Sequence, residues 1–403
     1  MQPQPNASPL PSRQAGLDRL AAFAPQAGES YARLRNLVRP GHPHVSRLSP
    51  YLRHRLITEE EVLIHLRDGP AGQMPAKFVD EVLWRSYWKG FLEMRPALLT
   101  SYREGVRRGL ARVGAEAGLR QKWRDACDGA TGIDGFDDWA RELVATGYLH
   151  NHARMWFASI WIFTLGLPWE LGADFFIRHL LDGDMASNTL SWRWVAGLHT
   201  PGKTYLATTS NIVANTEGRH APAGLADRAF AVEGLPNPPA GPCPQGGRWN
   251  HGLPTALLLH EDDLSPDFLL DAALAPVQTA FVLAPEGRSP LAVSPAISRF
   301  VRAAMDDCAD RLQPRLGAIH GPVQGDGAVD ALVAWARSSA AHQVVTPFAP
   351  LGPIADLLAE LEVRLSAENI QLVRAMRDYD GRIWPHATRG FFAFRESVMA
   401  QML

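Results

Sequence analysis

Two carboxylates, an amide and two indoles share the stretch LLDGDMASNTLSWRW, Leu180 to Trp194. Ionised Asp182 and Asp184 can only accept hydrogen bonds or pair with cations, whereas the Asn188 amide both donates and accepts. Trp192 and Trp194 add flat apolar faces, each with a single N–H. Upstream, Arg154 in HNHARM begins an otherwise apolar helical run. A guanidinium there needs a counter-charge, because an unpaired buried cation is costly, and Asp182 and Asp184 are its natural partners. Spacing alone is met by an ion pair that ties two helices together. A ligand held between the same groups is the second reading.

Helices must position these groups. Amphipathic spacing recurs in LDRLAAFA, EEEVLIHLRD, KFVDEVLWRSYWKGFLEM and DDWARELVATGYLHNHARMWFASIWIF, and Thr58 ahead of Glu61 matches a capping box. Residues 1–220 are therefore expected to form an all-α domain. From 221 to 247 the chain is dense in Pro and Gly, as in a linker. Beyond it, TALLLH, TAFVLA, HQVVTPF and NIQLVRAM read as strands between helical patterns, which predicts an α/β domain with a Rossmann-like parallel sheet over 248–403. No dinucleotide or P-loop glycine motif occurs in it.

The formal charge of -2 divides unevenly: residues 1–220 hold 26 Lys and Arg against 22 Asp and Glu, the remainder 14 against 20. Nine of the 12 tryptophans also fall in the first part, which is thus the half to search for a polyanionic partner. The most apolar uncharged run, Met155–Trp169, is 15 residues, too short for a membrane span of about 20. The N-terminus lacks a signal-peptide pattern, so a cytoplasmic location is expected. Three scattered cysteines, Cys127, Cys243 and Cys308, argue against a disulfide framework.

YARLRN, VSRLSPYL, DEVLWRSYWKGF, TGYLHNHARM and LLDGDMASNTLSWRW together resemble, in order and spacing, the FAD-binding domain of the DNA photolyase and cryptochrome family. The resemblance covers about residues 17–220 and implies a helical bundle holding a U-shaped FAD that opens onto damaged DNA. It implies that Tyr31 and the segment Val45, Ser46, Arg47, Leu48 and Ser49 meet the FAD phosphates, with Arg85 nearby. The family usually has Thr where Val45 stands, so one donor is missing. Arg154 with Asp182 would lie beside the flavin, Asp182, Gly183 and Asp184 on its ring, and Asn188 at N5. Asn151 is expected at the border of cofactor and substrate.

On the substrate face the resemblance implies that Glu81 hydrogen-bonds a cyclobutane pyrimidine dimer and stabilises its radical anion. Trp84 and Trp194 would wall the pocket, Asn151 and Met155 match the cyclobutane-dimer branch, and Arg35 and His152 complete the expected DNA contacts. Lys203, Arg193 and Arg219 are further phosphate contacts to check. Trp192 and Trp169 fit the first two members of an electron-carrying tryptophan chain. The third position falls near Glu116, which cannot serve, leaving Trp123, Trp139 and Trp161 as substitutes. His152 replaces the family's arginine, and the downstream DNA-contact loop lacks its usual proline.

The expected function is light-driven repair of pyrimidine dimers in UV-damaged DNA. The alternative is a cryptochrome-like photoreceptor acting on a signalling partner, and a third reading is a flavin-bearing DNA-binding protein without photochemistry. The C-terminal part resembles the family's antenna domain in a circularly permuted position. His260–Ser265, HEDDLS, stands where a basic loop is expected, so an antenna chromophore is expected to be absent.

Overall fold

The computed structural model describes residues 9–69 and 74–402. Residues 1–8, which include most of the stretch lacking a signal pattern, lie outside them. Helices run from Arg13–Phe23 to Thr209–Asn215, and five strands alternate with helices from Thr255 onward. The segment between has no regular secondary structure, yet it is tied down along its length. Arg95 Nε donates to Pro238 O, Arg193 Nη2 to Leu235 O, and the Gly247 N–H to Arg374 O.

Local chemistry sets the helix ends. Thr58 and Glu61 form both bonds of the capping box, with the Glu61 N–H on Thr58 Oγ1 and the Thr58 N–H on Glu61 Oε2. The amphipathic stretch from 137 to 163 divides at Gly147, which ends the helix Phe136–Thr146 at φ 69°. A side chain there would also meet Leu181 at 2.6 Å, so glycine is required twice over. A new helix, Asn151–Ser159, follows and passes into a π-helical turn, Ile160–Thr164, closed by the Leu165 N–H on Ile160 O.

The sheet is parallel throughout, with strands β1 Thr255–His260, β2 Gln278–Val282, β3 Ala318–Val323, β4 Gln343–Pro347 and β5 Gln371–Ala375 in the order β3-β2-β1-β4-β5. This is a doubly wound arrangement. Four strands match the apolar runs of the sequence. β3 was not among them: it carries a Gly-Pro pair and lies exposed at the sheet edge, where proline is tolerated.

Side chains alternate across the sheet. Ala256, Leu258, Ala280 and Val344 pack against the helices Ala328–Ser338 and Pro353–Ala367, while Leu257, Leu259, Phe281 and Val345 join the core shared with the helical part. The two parts meet closely. A Cβ on Gly90, in the helix Ala76–Glu93, would lie 2.9 Å from the backbone of Trp384. Among the described residues no helix is long and apolar enough to cross a membrane.

Candidate functional site

Asp182 lies in the turn between the helices Trp169–His179 and Met185–Val195. Its Oδ2 accepts from Arg154 Nη2 at 2.8 Å, and Arg154 Nε is held by Leu149 O. Burial opposes ionisation of Asp182, but the Arg154 guanidinium wins and holds the carboxyl below its usual range. Asp184 caps the helix Met185–Val195, accepting from the Ser187 N–H at 2.8 Å. Burial resists its ionisation too; Lys89 and Arg53 bring it down to about 2. Both acids of DGD are thus permanent anions near neutral pH.

Several buried polar atoms beside this pair have no hydrogen-bond partner among the described residues: Asp182 Oδ1, Ser187 Oγ and Arg85 Nη1. Arg85 acts electrostatically on both Asp182 and Asp184, so the three share one neighbourhood. Unpaired groups of this kind are uncommon in protein interiors and fit a polar ligand bearing both donors and acceptors. Asn188 Nδ2 donates to Ala173 O at 2.8 Å. That bond fixes the amide and leaves its carbonyl oxygen as the side able to meet a ligand.

The segment Val45–Ser49 reaches the same region through Tyr148. Arg47 adopts φ 53° and lies 5.3 Å from the Tyr148 ring centroid, with Arg154 5.7 Å from the same ring. Val45, Ser46 and Ser49 are half-buried, whereas Leu48 is core and its N–H already meets Ser46 Oγ at 3.3 Å. Leu48 therefore has no backbone donor to spare for a phosphate. Tyr31 is packed edge-on between Phe23 and Phe78, and burial raises its hydroxyl pKa.

Of the residues expected to face a substrate, Arg35 Nη1 forms an ion pair with Glu81 Oε1. Desolvation raises the Glu81 carboxyl against the pull of Arg35. Asn151 is exposed at the first turn of its helix, and Met155 and Trp194 are half-buried, the latter stacked on Tyr205. Trp84 stacks on Phe391 with centroids 3.7 Å apart and planes within 7°. A base could therefore use at most its opposite face.

Two expectations are corrected. His152 is buried, with Nδ1 on Asn36 O at 2.9 Å and its ring 4.2 Å from Trp156. Burial lowers its pKa, so it remains neutral and turned away from any phosphate. Arg193 is 1% exposed and clamps Leu235 O and Asn237 Oδ1, which removes it from the surface. Arg219, by contrast, stays exposed, with one N–H on Val38 O.

The buried ion network behind the site was not foreseen. Arg53 Nε donates to Gly183 O at 2.7 Å, and its Nη1 pairs with Asp262 Oδ1 at 2.6 Å. Asp263 binds Arg55 and Arg377, Glu261 binds Arg288, and Arg55 also holds Asp380. The acidic run of HEDDLS thus faces arginines from the helical part and from its own domain. Three acids directly after a buried strand were the available signal, since such charges must find cations. Gly183, expected on a flavin ring, has its carbonyl held by Arg53.

Residues 78–222 match the family model described as the FAD-binding domain of DNA photolyase. The chain is 36% identical over 156 residues to a deoxyribodipyrimidine photo-lyase of Streptomyces griseus, covering 38% of this chain and 32% of that one. It is 31% identical over 225 residues to the photo-lyase of Thermus thermophilus, covering 56% and 51%. It thus spans about a third to a half of the length of these relatives. A solved structure of a class III photolyase from Agrobacterium tumefaciens aligns with a TM-score of 0.42 and 26% identity over 51% of this chain and 42% of that one. The similarity is thus to the FAD-binding domain of DNA photolyases, and it lies in the helical part of the chain.

Proposed function

We propose that this chain binds FAD and uses blue light to split cyclobutane pyrimidine dimers in UV-damaged DNA. The observation that carries the reading is the Arg154–Asp182 pair with unpaired Asp182 Oδ1, Arg85 Nη1 and Ser187 Oγ around it. These atoms suit a cofactor that carries both a hydrogen-bonding ring and phosphates. When bound, FAD would supply the photoexcited electron.

The protein's own residues do the rest. Ser46, Ser49, Tyr31 and Arg85 offer donors to phosphate oxygens, and Arg154 is held by Asp182 beside the ring. The Asn188 carbonyl, oriented by Ala173, accepts from a ring N–H and so favours the reduced cofactor. Glu81 is the acid we assign to a dimer carbonyl: it is paired with Arg35, and a proton taken up there, which burial favours, would be donated as negative charge develops. Trp84 and Trp194 give apolar walls for unstacked bases. At the HEDDLS loop Glu261, Asp262 and Asp263 are all taken by arginines, which supports the absence of an antenna chromophore at that loop.

The test is the absorption spectrum of purified protein before and after blue light with a thiol, followed by repair of an oligonucleotide carrying one thymine dimer. Bleaching flavin bands and light-dependent repair are expected. Bleaching without repair by fully reduced protein would remove the enzyme reading and leave a photoreceptor.

A further inference from the structure

The environment of Trp192 separates two routes by which an electron could reach it. Trp169 is buried and its Nε1 has no hydrogen-bond partner among the described residues. Its ring neighbour is Tyr102, at 5.9 Å, whose hydroxyl is likewise buried without a partner. The carboxylates of Asp174 and Glu170 act on Tyr102 electrostatically, but neither hydrogen-bonds its hydroxyl. Trp169 makes no ring contact with Trp192 among the described residues, and its neighbour Tyr102 is itself buried.

Trp161 is placed differently. It sits in the π-helical turn, with its ring 6.3 Å from Trp192 and nearly perpendicular to it, at 86°. Gly172 makes that approach possible: a Cβ there would lie 2.3 Å from Trp192 and 2.9 Å from Trp161 Nε1. Trp161 Nε1 donates to Pro168 O at 2.9 Å, and a carbonyl on the indole N–H stabilises positive charge on the ring. The far side of Trp161 stacks on Phe175 at 6.2 Å and 15°. Phe175 in turn lines an open cleft of about 490 Å³ together with half-buried Trp123. Trp139, the other substitute, stacks on Trp156 and has no ring contact with Trp192 or Trp161 among the described residues.

We infer that electrons reach Trp192 through Trp161 rather than Trp169, with Trp123 at the cleft as the outer donor across Phe175. This rests on the reading that FAD binds beside Trp192. With FAD bound, Trp192 would give up one electron on illumination, Trp161 would refill Trp192, and Trp123 would refill Trp161. An external thiol would then return one electron to Trp123, losing its proton to water and leaving as a thiyl radical; two such radicals couple to a disulfide, so atoms and electrons balance and no protein bond changes.

Transient absorption on the FAD-loaded full chain tests this with Trp161→Phe, Trp169→Phe, Trp123→Phe and Trp192→Phe. Trp161→Phe should keep the fast quenching by Trp192 and lower the yield of long-lived tryptophan radical by about tenfold or more, because phenylalanine is not oxidised in its place. Trp169→Phe should leave the yield within about twofold. Loss of the yield in Trp169→Phe with retention in Trp161→Phe overturns the route. Should Trp161→Phe not fold, Trp123→Phe decides: slowed recovery with thiol supports the route, and unchanged recovery overturns it. Fast quenching that survives in Trp192→Phe would instead remove the placement of FAD on which the route depends.

Discussion

Removing the Asp262 carboxylate should destabilise the fold and the flavin site together. Asp262 and Arg53 are each 7% exposed at 2.6 Å, and the same arginine holds Gly183 O within the DGD turn. Deleting one partner of a buried pair costs about 3–5 kcal/mol, because the other charge is stranded. Arg53 keeps the Gly183 carbonyl and the fields of Asp184 and Glu261, so the lower end, about 3 kcal/mol, is expected for Asp262→Ala. Arg53→Met combined with Asp262→Leu removes both charges and leaves only Gly183 O unpaired, for about 1–3 kcal/mol. The double variant should therefore be no less stable than Asp262→Ala. Urea unfolding of wild type, Arg53→Met, Asp262→Leu and the double gives the cycle, with Asp262→Ala measured beside it, and the flavin-to-protein absorbance ratio reports the site. A loss below about 1 kcal/mol in Asp262→Ala, or strict additivity across the cycle, would refute the coupling.

Glu93 supplies a pH signature. Burial pushes its carboxyl up to about 7, partly opposed by the Leu351 N–H at 2.6 Å. A raised folded-state pKa gives stability that is present at low pH and lost as pH rises through 7. Relative to Glu93→Gln, wild type should lose at most about 3 kcal/mol between pH 5 and 8, less what partial exposure screens; a flat difference in urea midpoints would count against it. Phe391→Ala removes the ring stacked on Trp84 and should cost about 3 kcal/mol by chemical denaturation, a loss under about 1 contradicting the packing. Arg154→Ala strands Asp182 and should cost about 3 kcal/mol while lowering FAD retention, read as flavin absorbance after gel filtration.

Periodicity and capping carried the helical half and four of the five strands, because apolar spacing reports which face is buried wherever a core lies on one side. β3 escaped because its Gly-Pro pair and exposed edge place little constraint on its residues. The Arg154–Asp182 pair was legible because a lone cation on an apolar helix has few ways to be satisfied. The inward turn of His152, the clamp of Arg193 on Leu235 O and the Trp84–Phe391 stack were not, since each depends on a segment distant in sequence.

The sequence by itself determined the residue types of the site: two anions, one amide and a guanidinium on helices that must bury them. Only the tertiary structure decided their partners. Arg53 reaches Asp262 across 209 residues, and Asp262 belongs to an acidic loop that in sequence looked like a lost chromophore site. It likewise chose Trp161 over Trp139 as the neighbour of Trp192, through a π-helical turn and the missing side chain of Gly172. Such choices rest on distances of a few ångströms between elements, and spacing along one chain cannot encode them.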